Sequence, residues 1–213
     1  MALPEDKLIT INDRGARAAT TFGSVTSGGA NMVFIKKLTA SSSGTLSFVD
    51  GASSVVLDNT YKEYLFTFKN MHPSENAHAN FLMNFSADTG SNYNVAKTTT
   101  LFRTYHQENG GSSSLLYQNE FDLAQGTGFQ NLYAYGAGDD ADLCWGGTMS
   151  LYNPSSTTFV KHFMSNISGT DGNYEHNHFC AGYGNTTSAV DAVQFKMSAG
   201  TIDAGDICLY GIS

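Results

Sequence analysis

Charge is scarce in this 213-residue sequence: only 14% of its residues are Asp, Glu, Lys or Arg, against roughly 25% in an average soluble protein. Basic charge is the scarcer kind. Eleven Lys and Arg face 19 Asp and Glu, for a formal net charge of −8. Generic nucleic-acid binding needs a basic face that displaces counterions from phosphates, so the balance argues against it. A polybasic membrane anchor is excluded for the same reason. No apolar run approaches the roughly 20 residues that span a bilayer as a helix, so membrane insertion is not expected. The first residues, Met1 to Lys7, lack the charged-then-apolar plan of a secretory signal. Cysteine is confined to Cys144, Cys180 and Cys208. An odd, sparse set with no metal-finger spacing is neither a disulfide framework nor a zinc site. Buried free thiols in a protein made in a reducing cytoplasm are expected instead. Finally, no window of twelve residues carries a convincing helical stripe, which argues against a helical fold.

What the chain does have is aromatic side chains at period two. Hydrophobic residues make up 41%, with 14 Phe and 11 Tyr, so there is material for one sizeable core. Tyr64, Phe66 and Phe68 share one side of the run 61–69, and Phe81, Met83 and Phe85 one side of 80–86. Further strands are expected over 32–38, 45–49, 98–106, 147–152, 158–168, 192–198 and 206–212. Within 158–168, Phe159, Phe163, Ser165 and Ile167 should face one way and Val160, His162 and Met164 the other. Gly, Asn and Asp turn signals separate nearly all of these runs, at Asp50-Gly51, Asn109 to Gly111, Asp171-Gly172 and Gly200 among others. Short strands at regular spacing predict an all-β fold, an antiparallel β-sandwich of jelly-roll type with an aromatic core.

The N-terminal segment reads differently. Residues 1–40 carry Glu5, Asp6 and Asp13 against Lys7, Arg14, Arg17, Lys36 and Lys37, so they sum to +2 and leave −10 for the rest. From Ala16 to Asn31 the chain is small and polar, with little that could form a core. Residues 1–31 are therefore read as an extended docking arm and 32–213 as one β-sandwich domain. Leu8, Ile9 and Ile11 are suited to pair as a strand with a partner, and Arg14 and Arg17 to add charge to that contact.

Candidate chemistry is thin. His176 and His178 stand on one side of a would-be strand and could meet one cation, but no third ligand is indicated. The simpler reading is a polar strand edge or loop. Asp139, Asp140 and Asp142 form an oxygen-rich cluster without the twelve-residue plan of a calcium loop, and a solvated acidic turn is the simpler reading. Trp145, the one tryptophan, follows close behind. It is either a core residue or a sugar-stacking platform that would make Asp139, Asp140, Asp142 and Trp145 a glycan-facing loop. No G-x-S-x-G is present, no ordered Ser, His and Asp set stands out, and the 19 acids mostly sit in turns, with the distances a glycosidase pair needs not set by sequence. The residues thus point to no catalytic residues, no metal and no cofactor: a structural or binding module, not an enzyme.

Several stretches then resemble a known group. Phe34 to Gly51 leads into Val56 to Tyr61, followed by Tyr64 to Pro73, Phe102 to His106, and an ending with the pattern G-x-I-x-x-G-x-I-x-L-Y-G-I, met by Gly200, Ile202, Gly205, Ile207, Leu209, Tyr210, Gly211 and Ile212. Over residues 33–213 this resembles structural proteins of tailed phages, abundant in marine phages infecting cyanobacteria and related hosts. Cys208 stands where a polar residue is more usual, which hints at a buried position. The resemblance implies a virion component on the particle exterior, assembled in the host cytoplasm. Its expected partners are other virion proteins and copies of itself, as a homotrimer or another symmetric assembly, and a host surface glycan. A tail-fibre module is favoured, with a capsid decoration protein and a carbohydrate-binding module as alternatives. A polysaccharide hydrolase would need an acidic pair along a groove. The group carries no established functional residues to transfer.

Overall fold

Alternation at period two needs one buried and one outward side per strand; the runs 61–69, 147–152 and 206–212 meet it, while 81–86 is buried on both sides. A computed structural model describes residues 32–75, 79–136 and 138–213. The proposed arm, with Leu8, Ile9, Ile11, Arg14 and Arg17, lies outside the described residues. Among those described, the strands are β1 (Met32–Thr39), β2 (Leu46–Val49), β3 (Glu63–Pro73), β4 (Phe81–Ser86), β5 (Lys97–Gln107), β6 (Ser113–Tyr117) and β7 (Ala124–Gly126). They continue with β8 (Gln130–Tyr133), β9 (Trp145–Tyr152), β10 (Lys161–Thr170), β11 (Tyr174–Gly184), β12 (Ala192–Met197) and β13 (Ile202–Ile212).

These strands make two antiparallel sheets. The large one runs β1-β13-β3-β9-β10-β11-β5-β6, with β7 also on β5, and the small one runs β2-β12-β4-β8. The partners are nested along the chain: β1 pairs with β13, β2 with β12, β5 with β11 and β9 with β10. The fold is an all-β sandwich, as the alternation predicts.

The core lies between the sheets and is aromatic. Tyr64, Phe66 and Phe68 of β3 project inward and alternate with the outward Leu65 and Thr67. Phe66, Phe68, Phe48 and Phe81 all pack on Phe195, with ring centroids 5.3–6.4 Å apart. Most of these pairs meet edge to face, and each such pair adds about 0.5–1.5 kcal/mol beyond its buried area. Polar ties join the sheets at one end. Lys97 of β5 is fully buried, and its Nζ donates to Asn84 Oδ1 of β4 and, at 2.7 Å, to the Val95 carbonyl. Burial pushes the Lys97 ammonium down to about 7. Thr99 donates to Gln130 Oε1 of β8 at 2.6 Å.

The structure departs from the sequence reading at several points. β10 begins only at Lys161, because Ser156 Oγ accepts from the N–H of Thr158 and Phe159 and holds them in a turn. Phe159 is therefore 68% exposed instead of sharing the core face with Phe163. The segment with His176 and His178 is no edge or loop: β11 is paired on both sides, with β10 and β5. Of the thiols, Cys180 is buried, while Cys144 and Cys208 are half-buried, so the burial hinted at for Cys208 is only partial.

Candidate functional site

The large sheet extends past the small one. β8 is the last strand of the small sheet and touches β10 and β11. Next to β11 come β5 and β6, whose inward side chains at this end meet loops instead of strands. Here Arg103 and Tyr105 of β5, Leu116 of β6, Tyr174 and His176 of β11, Asp171 of the β10–β11 turn and Tyr135 beyond β8 line a cavity of about 300 Å³. Arg103 and His176 share the inner face by register, since Arg103 lies opposite His178, and Tyr105 opposite His176.

Arg103 organises the site. One Nη lies 3.2 Å from His176 Nδ1, and His176 Nε2 lies 3.1 Å from Asp171 Oδ2. A guanidinium can only donate, so Nδ1 accepts and Nε2–H donates to Asp171. Both imidazole nitrogens are thereby occupied, which fixes the ring and leaves no free base. The Arg103 Cζ stands 3.9 Å from the centroid of the Tyr135 ring and 5.2 Å from that of Tyr105, within cation–π range. Tyr105 meets Tyr174 edge to face at 5.6 Å, and Tyr174 stacks on His176 at 5.8 Å.

The site's cation and anion, Arg103 and Asp171, are not paired with each other. Among the described residues no carboxylate lies within ion-pair distance of Arg103, and its buried Nε has no hydrogen-bond partner. Asp171, the carboxylate in the lining, is already engaged. Burial pushes its carboxyl up, but the N–H groups of Asn173 and Tyr174 and the His176 contact outweigh that and hold it below the usual range. Behind the cavity, His178 is fully buried against Tyr133 with ring centroids 4.5 Å apart. Desolvation, aided by His176 and Arg103, pushes His178 down to about 3.

Tyr135 is held by force. Its φ is +59°, a left-handed conformation that costs a non-glycine residue on the order of 1–3 kcal/mol. Asn80 Oδ1 accepts from its N–H at 3.1 Å, Glu120 accepts from its hydroxyl at 3.0 Å, and Phe121 packs edge-on to its ring. A Cβ on the next residue, Gly136, would stand 1.9 Å from the Ala79 carbonyl oxygen, so only glycine fits there. This bracing sets the Tyr135 ring over Arg103.

The loop singled out from the sequence is divided. Asp139, Asp140 and Asp142 are exposed, near His72, which meets the Asp140 carbonyl at 3.2 Å. Trp145 does not join them on a surface. It is 1% exposed, stacked on Tyr133 at 5.1 Å, because β9 turns alternate residues, Trp145, Met149 and Leu151 among them, into the core. A sugar-stacking role for its ring is thereby corrected to a core role. Among the described residues no group of three or more His, Cys, Asp or Glu is placed to hold a metal. Arg103, Tyr105, Tyr135 and Tyr174 were not evident beforehand as a site. The one available signal was that Arg103 is the sole arginine of residues 32–213.

No family model, curated protein or solved structure matches the chain.

Proposed function

We propose that this protein is a non-enzymatic structural module on the exterior of a phage particle, most simply a tail-fibre or fibre-like appendage, docked by residues 1–31 and packed against copies of itself. The nested strand pairing fits the jelly-roll winding expected of such a module. The observation that carries the reading is the outer face of the large sheet. Across 98–104, 148–152, 162–168 and 177–183 the outward side chains include no Asp, Glu, Lys or Arg. Phe179, Phe102 and Tyr117 fall in one row across β11, β5 and β6, and Met164 is 58% exposed beside them. A flat face of small neutral polar side chains and aromatics, without charge across these ranges, costs less to desolvate than a charged one and suits close assembly. The docking role is tested by removing residues 1–31 and measuring incorporation into particles. The truncated chain is expected to keep its β-rich circular dichroism and fail to join; normal incorporation refutes the docking role.

A second reading, glycan recognition, is favoured by the cavity around Arg103, where three tyrosines surround a cation. Aromatic faces beside a few placed polar groups are what a small polar ligand needs for grip and orientation.

A further inference from the structure

We propose that the cavity lined by Arg103, Tyr105, Tyr135, Tyr174 and His176 binds a pyranose that bears a carboxylate, an acidic sugar at the end or on a branch of a glycan. This rests on the glycan reading above and names its ligand class. The argument starts from Arg103. A guanidinium half-buried in a protein normally finds a carboxylate, because desolvation of an unpaired charge is costly. Among the described residues its partners are an imidazole nitrogen that accepts from it and two tyrosine rings, and the buried Nε has none. The carboxylate nearest in the lining, Asp171, is held by His176 and by two backbone N–H groups. The Nε is sealed from the cavity, so the donors left for an anion are the remaining Nη N–H groups, and these can donate to a planar carboxylate by charge-assisted hydrogen bonds.

The walls select the rest of the ligand. Tyr105, Tyr135 and Tyr174 bring aromatic surface and hydroxyls, and Leu116 adds an apolar contact. A pyranose has apolar C–H faces and a rim of hydroxyls, so it uses both. A small amino-acid carboxylate such as N-acetylalanine uses the cation but covers little of the aromatic wall. The volume, about 300 Å³, lies at the lower end of small-ligand sites and suits a single sugar residue. The left-handed backbone at Tyr135, braced by Asn80, Glu120 and Phe121, is local strain spent on keeping one ring over the cation.

The test titrates the full chain with four probes: methyl glucuronoside, its uncharged isostere methyl glucuronamide, methyl glucoside, and N-acetylalanine as a peptide-like carboxylate. Binding is read by chemical-shift changes at the Arg103 Nε–H and the Tyr135 amide. The glucuronoside is expected to saturate both signals and to bind at least about tenfold more tightly than the amide or the glucoside, since a charged hydrogen bond contributes about 1.5–3 kcal/mol. Arg103→Gln should erase that difference, and Arg103→Lys should restore only part of it. Because the amide comparison uses the unaltered protein, a variant that fails to fold leaves the proposal decided. Equal binding of glucuronoside and glucoside overturns the carboxylate assignment and leaves the glycan reading intact. N-acetylalanine binding as tightly as the glucuronoside overturns the sugar assignment. No binding of any sugar overturns both.

Discussion

His178 shows most directly how single residues carry the physics of this fold. It sits fully buried on the inner face of β11, against Tyr133 of β8 and near His176 and Arg103, with neither ring nitrogen partnered among the described residues. The folded chain holds this imidazole neutral down to about 3, whereas an unfolded chain protonates it near 6.5. Between those values unfolding takes up a proton, so stability is complete above about 6.5 and is lost as pH falls through the window, by up to about 1.4 kcal/mol per pH unit. His178→Leu should remove that slope. Chemical denaturation at pH 6.5 and pH 4.5 should show the variant losing clearly less stability than the parent. At pH 7 it should be as stable as the parent or more so, because two unpartnered polar atoms leave the core. Equal slopes in both proteins would mean that His178 is not the group that titrates. Asp171 and Asp206, both held low by their partners, add a loss of their own only as pH approaches and passes the unfolded carboxylate value of about 3.9, the lower end of this window.

At the scale of elements, the close contact of β9 with β10 depends on Gly147. A Cβ there would stand 2.2 Å from the Asn166 carbonyl oxygen and 2.7 Å from Ile167 Cα. Both are backbone atoms in the middle of a paired strand, with no flexible side chain to give way. Gly147→Ala should therefore destabilise by about 1–3 kcal/mol, the usual cost of overpacking, read as a lower denaturation midpoint. Gly44, where a Cβ would meet nothing within 4 Å, supplies a control whose alanine variant should change little. The strands were legible in the sequence wherever period two is written in aromatics, as in Tyr64, Phe66 and Phe68. They were illegible where alternation is polar. β11 has His176, His178 and Cys180 on its buried side, and polar side chains at the inward positions look like a surface. β6, β7 and β8 escaped notice because they are only three to five residues long and rich in Ser, Gln and Asn, unlike the equally short β2 with Leu46 and Phe48. The candidate site was illegible for a different reason. Its residues come from β5, β6, β11, a turn and the segment after β8, and only the β11–β5 register brings Tyr105 opposite His176. Trp145 misled in the opposite direction, since a lone tryptophan beside an acidic loop gives no sign of which way its strand faces.

For the whole molecule, the two faces of the large sheet divide the work. The inner face is filled by the small sheet except at the β5–β6 end, where the Arg103 cavity opens. The outer face has no second layer among the described residues, yet it carries Met164, Phe102, Leu115 and Tyr117 exposed. A sheet face left to water is ordinarily polar and charged; the middle of this one is polar but uncharged and carries these exposed apolar side chains, which supports the proposed contact with another copy. Met164→Glu combined with Leu115→Glu places two charges on that face without touching the core. Substitutions at exposed positions change stability by about 0.5 kcal/mol or less, so the circular dichroism spectrum and thermal midpoint should stay nearly unchanged. The proposed self-association should not survive, because each glutamate would have to be desolvated unpaired at the contact. Sedimentation velocity at several concentrations reads the outcome: an oligomeric parent and a monomeric double variant are expected. A parent that sediments as a monomer throughout, or a double variant that still assembles, would remove the outer face as the self-contact.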